Sequence, residues 1–349
     1  MEKKGKMIME VSALKKALKN NSPQSVYLVQ GQEAYLIDQI KEQFRQLLAP
    51  EEATMNFGDY DLASVPLATA LNDAMSAPFF GERRLVFIQH PLFLTSAAKQ
   101  TNVVHDVAGL IKYLQQPVPT TTLVIFAAYD KLDERKKVTK LLKKKAVLID
   151  ARPLTEQKAQ HYVANYLKQK NINIQPEALQ LLVQRTEANL TLMMGELTKL
   201  ILYAKKQREI TVTAVKSLVT QNLEQNIFTL VDAVMARDVA RAVSLYRQLI
   251  LQKEEPLKLN AILVGQFRLL LQVKILQRNG YSQGDLARVL HAHPYRVKLA
   301  LGQAKRFSQK ALRQAYLGLV DLEYQLKTSQ RDAELLFQLF ILKFSQNAA

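Results

Sequence analysis

The residues best placed to do chemistry in this sequence form a strand–glycine–helix turn, Gly31-Gln-Glu-Ala-Tyr-Leu36. A glycine-rich turn before a helix binds phosphates through its backbone N–H groups. Here the turn has one glycine, no Lys followed by Ser or Thr, and Glu33 at a place where negative charge repels a phosphate. We therefore expect the architecture of a nucleotide-binding domain without ATP hydrolysis and without a bound cofactor.

Other catalytic constellations are equally weak. Magnesium-dependent hydrolysis needs an acidic residue at the end of a hydrophobic strand, but the apolar runs Leu85–Ile88 and Leu123–Phe126 are followed by Gln, His and Ala. His291 and His293 have no third ligand in view, and their spacing favours a helix boundary over a metal site. The absence of cysteine excludes disulfides, thiolate metal sites and cysteine nucleophiles. The sequence predicts no catalytic residue, no metal site and no intrinsic catalysis.

One loop breaks the rule that loops are polar. The segment Ser76–Arg84 carries Pro78, Phe79 and Phe80 between a predicted helix and a predicted strand. Adjacent residues cannot face the same side of a helix or strand, so we expect at least one of the two rings to be exposed. An exposed aromatic on a turn is a candidate anchor for a hydrophobic pocket on a partner. In the alternative interpretation, one ring fills the core and the other covers the helix end.

The net charge of +17 points toward a polyanionic partner, and two basic stretches contribute most to it. Residues 131–145 carry eight Lys or Arg against two acidic residues, and residues 268–313 carry ten against one. The second stretch overlaps residues 281–300, which resemble a helix-turn-helix with Ser282 as a cap and Pro294 opening the second helix. Its apolar positions fit a helical bundle equally well. The candidate contacts to DNA or to a partner are Arg296, Lys298, Lys305 and Arg306.

The surrounding elements change character near residue 152. With 11 Gly and 11 Pro in 349 residues, we expect long elements and few turns. Before this point, short apolar runs alternate with helical patterns such as Val65–Met75 and Val104–Leu114, which predicts a parallel sheet covered by helices. The predicted strands are Ser25–Gly31, Leu85–Ile88, Leu123–Phe126 and Val147–Ile149.

After Pro153 the pattern is helical, apart from a doubtful strand at Ile172–Ile174. Residues 153–220 predict a small helical module whose first helix, Leu154–Lys170, is capped by Thr155. Residues 221–349 predict long amphipathic helices. The predicted breaks lie at Glu255-Pro256, Asn279-Gly280, His293-Pro294 and near Ser308.

The sequence carries no signal for a membrane or for export. No uninterrupted apolar run reaches the roughly 18 residues of a membrane span, and the charged opening lacks the apolar core of a signal peptide. We therefore expect a cytoplasmic protein that does not bind a membrane.

Taken in order, these segments resemble the delta subunit family of the bacterial DNA polymerase III clamp loader over essentially the whole chain. The order and spacing of these fragments together are specific. The matching residues are Val26–Tyr35, Met75–Val86, Asp130–Lys137, Asn226–Phe228, Glu255-Pro256, Gln266–Leu270, His293–Val297 and a closing helix at Lys327–Phe344.

The resemblance implies an α/β plus all-α fold in three domains. Residues 1–152 would form an AAA+ RecA-like domain with a parallel sheet and no functional phosphate-binding loop. Residues 153–220 would form a helical lid. Residues 221–349 would form a helical collar through which five clamp-loader subunits associate.

The resemblance also implies a function. Phe79 and Phe80, with Pro78, would enter a pocket on the beta sliding clamp, and the ring would open for loading on primed DNA during DNA replication. The implied partners are the clamp, the tau/gamma and delta-prime subunits, and primed DNA within the complex. The nucleotidyltransferase activity of a DNA-directed DNA polymerase would belong to the whole holoenzyme. The alternative function is a DNA-binding regulator that uses residues 281–300.

Overall fold

The computed structural model describes residues 8–9, 11–20, 23–79, 81–96, 103–219 and 223–346. It divides into two compact units, one of residues 1–154 with 190–194, the other of residues 155–189 with 195–349. The boundary predicted at residue 152 stays a prediction, because residues 190–194 also belong to the first unit. The predicted separation of lid from collar stays a prediction, because both stretches contribute to the second unit.

A parallel sheet forms the centre of the first unit. In the described residues it has six strands in the order β1-β6-β2-β5-β4-β3, and every pairing is parallel. The strands are β1 Ile8–Met9, β2 Val26–Gln30, β3 Phe57–Asp61, β4 Arg84–Gln89, β5 Thr121–Ala127 and β6 Val147–Asp150. The four predicted strands are present. Strands β1 and β3 were not predicted, because β1 has two residues and β3 reads Phe-Gly-Asp-Tyr-Asp without an apolar run.

Helices surround this sheet, and their apolar faces form its core. They are α1 Val11–Asn20, α2 Ala34–Arg45, α3 Pro50–Asn56, α4 Leu67–Met75, α5 Val107–Gln115 and α6 Lys137–Lys145. On α2, Leu36, Ile40 and Phe44 are buried, as their spacing of four predicts. β5 is buried along its whole length, as expected for a central strand of a parallel sheet.

The second unit is almost entirely helical. Its helices are α7 Glu156–Gln169, α8 Pro176–Arg185, α9 Leu190–Tyr203, α10 Val212–Leu218, α11 Leu223–Met235, α12 Val239–Leu251, α13 Pro256–Arg278, α14 Gln283–Val289, α15 Pro294–Lys305, α16 Gln309–Thr328 and α17 Ala333–Gln346; residues 190–194 of α9 belong to the first unit. A short parallel pair joins β7 Asn173–Ile174 to β8 Glu209–Ile210. The doubtful strand is therefore real, with a partner strand that was not predicted.

Helix ends in the second unit follow the predicted local signals. The side chains of Thr155 and Ser308 cap α7 and α16, and Pro256 opens α13. The closing helix differs from the prediction, since α16 ends at Thr328 and α17 begins at Ala333. The carboxylate of Asp332 accepts a hydrogen bond from the N–H of Leu335 at 2.9 Å, which supplies a new helix start there.

The long helix α13 lies at the centre of the second unit's core. Among the described residues it is the one helix whose length and composition would allow it to cross a membrane, and 50% of its most apolar stretch is buried inside the protein. Phe267, Leu270 and Val273 are fully buried in a cluster to which α11, α12, α15, α16 and α17 also contribute. Its apolar character is thus that of a core helix.

Candidate functional site

The loop between α4 and β4 exposes an aromatic ring. The side chain of Phe79 is 63% exposed, and Pro78 next to it is half-buried. Phe80 lies outside the described residues. The exposure of Phe79 agrees with the expectation that at least one ring of the pair faces solvent.

Two side chains hold this loop in place: one is remote in sequence and the other lies at the loop's own end. Asn56, at the end of α3, is fully buried, and its Oδ1 accepts a hydrogen bond from the N–H of Phe79 at 2.7 Å. The guanidinium of Arg84 donates to the carboxylate of Asp73, with Nε 2.8 Å from Oδ1, and to the carbonyl of Ala77 at 3.4 Å. The backbone that carries the apolar ring is therefore fixed by hydrogen bonds. Neither Asn56 nor Arg84 was predicted as a site residue. Asn56 is 23 residues from Phe79, and no local pattern connects the two.

A left-handed turn completes the loop at Gly81. Its φ is +73°, and a Cβ there would lie 1.9 Å from Oε1 of Glu52, so only glycine fits without rearrangement. The Glu52 carboxylate in turn accepts a hydrogen bond from the N–H of Ala49 and caps α3.

Tyr60 is a titratable side chain beside Asp73. Burial and then the charge of Asp73 raise the pKa of Tyr60. Tyr60 is therefore a neutral side chain at physiological pH.

The strand–glycine–helix turn has the fold of a phosphate-binding site but uses its N–H groups internally. Gly31 has a φ of +133°, and a Cβ there would lie 2.1 Å from the backbone of Ala151. The N–H of Gly31 donates to the carbonyl of Ala127 at 3.2 Å, and the N–H of Glu33 donates to the carbonyl of Ala151 at 2.9 Å. These two donors are thus not directed at a ligand.

The carboxylate of Glu33 fills the space beside this turn. The side chain is 5% exposed and accepts hydrogen bonds from the N–H and the hydroxyl of Thr191. The hydroxyl oxygen of Thr191 also accepts from the N–H of Tyr35 at 3.0 Å. A buried anion at this position opposes the entry of a phosphate, in agreement with the sequence argument.

The four predicted contact cations lie on or just after α15. Lys298 forms an ion pair with Glu156 at 2.6 Å, and Arg306 forms one with Asp232 at 3.2 Å. Lys305 is exposed and Arg296 is half-buried. The buried residues of α15 are Tyr295, Val297, Ala300, Gln303 and Ala304.

The helix-turn-helix elements themselves form as predicted. The side chain of Ser282 caps α14, with Asp285 completing a capping box, and Pro294 opens α15. His293 is the residue before α15, and its Nδ1 accepts a hydrogen bond from the N–H of Tyr295 at 3.3 Å. This is the helix-boundary role expected for it. In the described part of the chain, no group of three His, Asp or Glu side chains could hold a metal ion.

Two acidic residues of the charged loop after β5 form ion pairs. Asp133 pairs with Arg135 at 2.9 Å, and hydrogen bonds from the side chain and backbone of Arg135 lower the pKa of Asp133 to about 2. Glu134 pairs with Lys143.

Comparison with known proteins identifies the family. The family model described as DNA polymerase III, delta subunit matches residues 27–152, and one described as a middle domain matches residues 155–217. A third, for the C-terminal domain of the DNA polymerase III delta subunit, matches residues 224–344. The DNA polymerase III subunit delta of Bacillus subtilis is 39% identical over 329 residues, covering 94% of this chain and 95% of that protein. The chain belongs to the DNA polymerase III delta subunit family.

A second relative and a solved structure agree with this assignment. A probable DNA polymerase III subunit delta of Aquifex aeolicus is 26% identical over 261 residues, covering 73% of this chain and 72% of that protein. The solved structure of the Bacillus subtilis DNA clamp loader delta protein has a TM-score of 0.78 and 38% identity, covering 97% of this chain and 100% of that one. The delta subunit described here is thus a clamp-loader component of DNA polymerase III, and the predicted α/β plus all-α fold with a parallel sheet is confirmed.

Proposed function

We propose that this delta subunit binds the beta sliding clamp through Phe79, together with Phe80 and Pro78. The observation that carries the proposal is the exposure of Phe79, 63%, on a loop tied by Asn56 and Arg84. A large aromatic side chain that enters a pocket is a typical binding hot spot. Because the backbone is already ordered, less conformational entropy is lost on binding than with a free loop.

Ring opening would follow from differential binding. If the delta protein binds the open form of the clamp more tightly than the closed form, its binding energy shifts the equilibrium toward opening. Each tenfold preference contributes about 1.4 kcal/mol to that shift. No covalent bond changes in such a step. The internal hydrogen bonds of Gly31 and Glu33 support a non-catalytic role, with nucleotidyltransfer belonging to the rest of the holoenzyme.

The second unit carries apolar surface suited to the other loader subunits, tau/gamma and delta-prime. On α16, Leu317, Val320 and Tyr324 are 53%, 41% and 67% exposed, on the side opposite to the buried positions of the helix. On α17, the side chains that are exposed in the same way are Leu335, Leu339 and Leu342. Exposed apolar residues repeated at helical spacing mark interaction surfaces. We place the assembled complex in the cytoplasm, at primed DNA.

A binding measurement tests the clamp contact. The sliding clamp of the same organism is immobilised, and the affinity of the full-length delta protein is measured by surface plasmon resonance. The double variant Phe79→Ala, Phe80→Ala should lose about 2 kcal/mol or more, which is roughly 30-fold in Kd. Val104→Ala is the matched control, because it removes an apolar side chain that is 87% exposed in the same unit. Unchanged affinity of a folded double variant would reject the assignment.

A further inference from the structure

Helix α6 presents a surface made of one residue type. Its exposed side chains are Lys137, Lys140, Lys144 and Lys145, and its other positions are buried or half-buried. Lys137, Lys140 and Lys144 follow one another at spacings of three and four, so they lie on one face of the helix. We call these three residues the lysine face.

The lysine face is not neutralised within the described structure. The two acidic residues of the stretch 131–145 are already engaged, since Asp133 pairs with Arg135 and Glu134 pairs with Lys143. None of the ion pairs among the described residues includes a member of the lysine face. Residues 131–145 therefore keep a concentrated positive charge after their internal ion pairs are formed.

The basic stretch in the second unit differs in this respect. Lys298 and Arg306 pair with Glu156 and Asp232, and Arg288 pairs with Asp285. Lys274 donates to the carbonyl of Ala304. The two stretches have similar charge in the sequence, but the second uses much of its charge to hold its own helices together.

The lysine face also opposes the stability of its own helix. Like charges three and four residues apart on a helix are destabilising by about 0.2–0.5 kcal/mol per pair. Lys137 also lies in the first turn, where there is no acidic residue and the helix dipole disfavours a cation. Lys144 lies in the last turn, where the helix dipole favours a cation. The repulsion among the three lysines is nevertheless offset by no ion pair of theirs among the described residues, whereas a polyanionic ligand would offset it.

We propose that the lysine face of α6 binds the phosphodiester backbone of nucleic acid. The three lysines span about 10 Å along the helix axis, a length over which one DNA strand presents about three phosphates. Lysine is a flexible point charge that suits phosphates, whereas it is depleted at the centres of protein–protein interfaces. α6 also has no exposed apolar residue to anchor a protein partner.

This binding is sequence-independent, because contacts to phosphates carry no base information. It deepens the proposed contact with primed DNA by giving it a location, and it rests on that part of the proposed function. The clamp contact is a separate matter, since it uses the apolar side chain of Phe79.

The test compares three variants of the full chain, each lacking three positive charges. They are Lys137→Gln with Lys140→Gln and Lys144→Gln in α6; Lys305→Gln with Lys310→Gln and Arg313→Gln in the rival basic stretch; and Lys168→Gln with Lys205→Gln and Lys206→Gln as a control. All nine side chains are exposed. Gln has nearly the helix propensity of Lys, so the folds should persist, and thermal melts check this.

Binding of a fluorescently labelled primer–template oligonucleotide is measured by anisotropy from 20 to 200 mM salt. The α6 variant should bind at least about tenfold more weakly at 50 mM salt, and its slope of log K against log salt should be smaller by about 2–3. The other two variants should stay close to the parent. The proposal is overturned if the α6 variant binds like the control, if only the variant of the rival stretch loses affinity, or if the parent shows no binding at 20 mM salt.

The same proteins are tested for clamp binding, which separates the two proposals. The α6 variant should bind the clamp like the parent. If the α6 variant loses DNA binding and the parent does not bind the clamp, the clamp contact is rejected and the lysine-face proposal is retained. If all variants bind the clamp and the α6 variant binds DNA like the parent, the lysine-face proposal is rejected and the clamp contact is retained.

Discussion

At the scale of single residues, a buried polar side chain determines how an exposed apolar one is presented. Asn56 is 0% exposed and accepts the Phe79 N–H, so the loop has a partner that water cannot easily replace. The exposure of one ring of the pair could be predicted from their adjacency in the sequence. The anchor could not, because Asn56 is 23 residues away and its hydrogen bond exists only once α3 and the loop are packed.

The variant Asn56→Ala tests this role. It leaves the Phe79 N–H without its acceptor and should lower the free energy of unfolding by about 1–3 kcal/mol. Hydrogen exchange of the Phe79 amide should accelerate at least about tenfold, and clamp affinity should fall by less than in the double Phe variant. Asn72→Ala, at an exposed position of α4, is the control and should change neither. An unaltered Phe79 amide in Asn56→Ala would show that the hydrogen bond does not hold the loop.

The pKa of Tyr246 leads to a second prediction for a single residue, on how stability depends on pH. Its ring is fully buried, stacked on Phe337 at 4.1 Å, and burial raises the pKa of Tyr246 to about 12. The folded protein therefore keeps this proton to higher pH than the unfolded chain. The resulting stabilisation is complete below about pH 10 and is lost between about pH 10 and 12, by about 2–3 kcal/mol.

The variant Tyr246→Phe isolates that contribution. The hydroxyl has no hydrogen-bond partner among the described residues, so its removal should cost little at pH 8. Above pH 10 the variant should become more stable than the parent by up to about 2–3 kcal/mol in urea unfolding. Tyr324→Phe, at a position that is 67% exposed, provides the control. A constant difference between Tyr246→Phe and parent from about pH 8 to about pH 11.5 would contradict the assigned pKa.

At the scale of elements, local signals predicted most helix ends and the longer strands. Pro256, Pro294 and Ser308 act within their own turn of helix, so the sequence alone locates them. β3 was not predicted because its sequence has no apolar run. Its backbone hydrogen bonds to β4 nevertheless make it a strand. β8 was missed for the same reason, since two residues become a strand only when β7 lies beside them.

Two glycines inside helices should respond oppositely to the same substitution. At Gly302 in α15 a Cβ would meet nothing within 4 Å, so Gly302→Ala should stabilise by about 0.5–1 kcal/mol. At Gly318 in α16 a Cβ would lie 2.7 Å from the ring of Phe340, which packs in the core. Gly318→Ala should therefore destabilise by about 1 kcal/mol or more despite the better helix propensity. Urea unfolding of both variants measures this, and changes of the same sign would contradict the packing of α16 on α17.

At the scale of the whole molecule, the charge of +17 does not mark the residues that the proposed clamp function uses most. The proposed clamp anchor is apolar, and α16 and α17 each expose three large apolar side chains. Ion pairs such as that of Lys298 with Glu156 neutralise several of the positive charges in the basic stretch of the second unit. A sequence shows how many charges there are, but only a structure shows which of them lack an ion-pair partner. For this reason we propose α6 rather than α15 as the helix that binds nucleic acid.

If the two units carry separate contacts, single-surface variants should separate clamp binding from assembly. Leu317→Ser with Tyr324→Ser removes two apolar side chains from the exposed face of α16, where neither contributes to the buried core. This variant should fail to join the tau/gamma and delta-prime subunits in size-exclusion chromatography, while it binds the clamp like the parent. Phe79→Ala with Phe80→Ala should do the opposite. If both variants lost both activities while remaining folded, the two surfaces would not be independent, and the assignment of assembly to α16 and α17 would have to be abandoned.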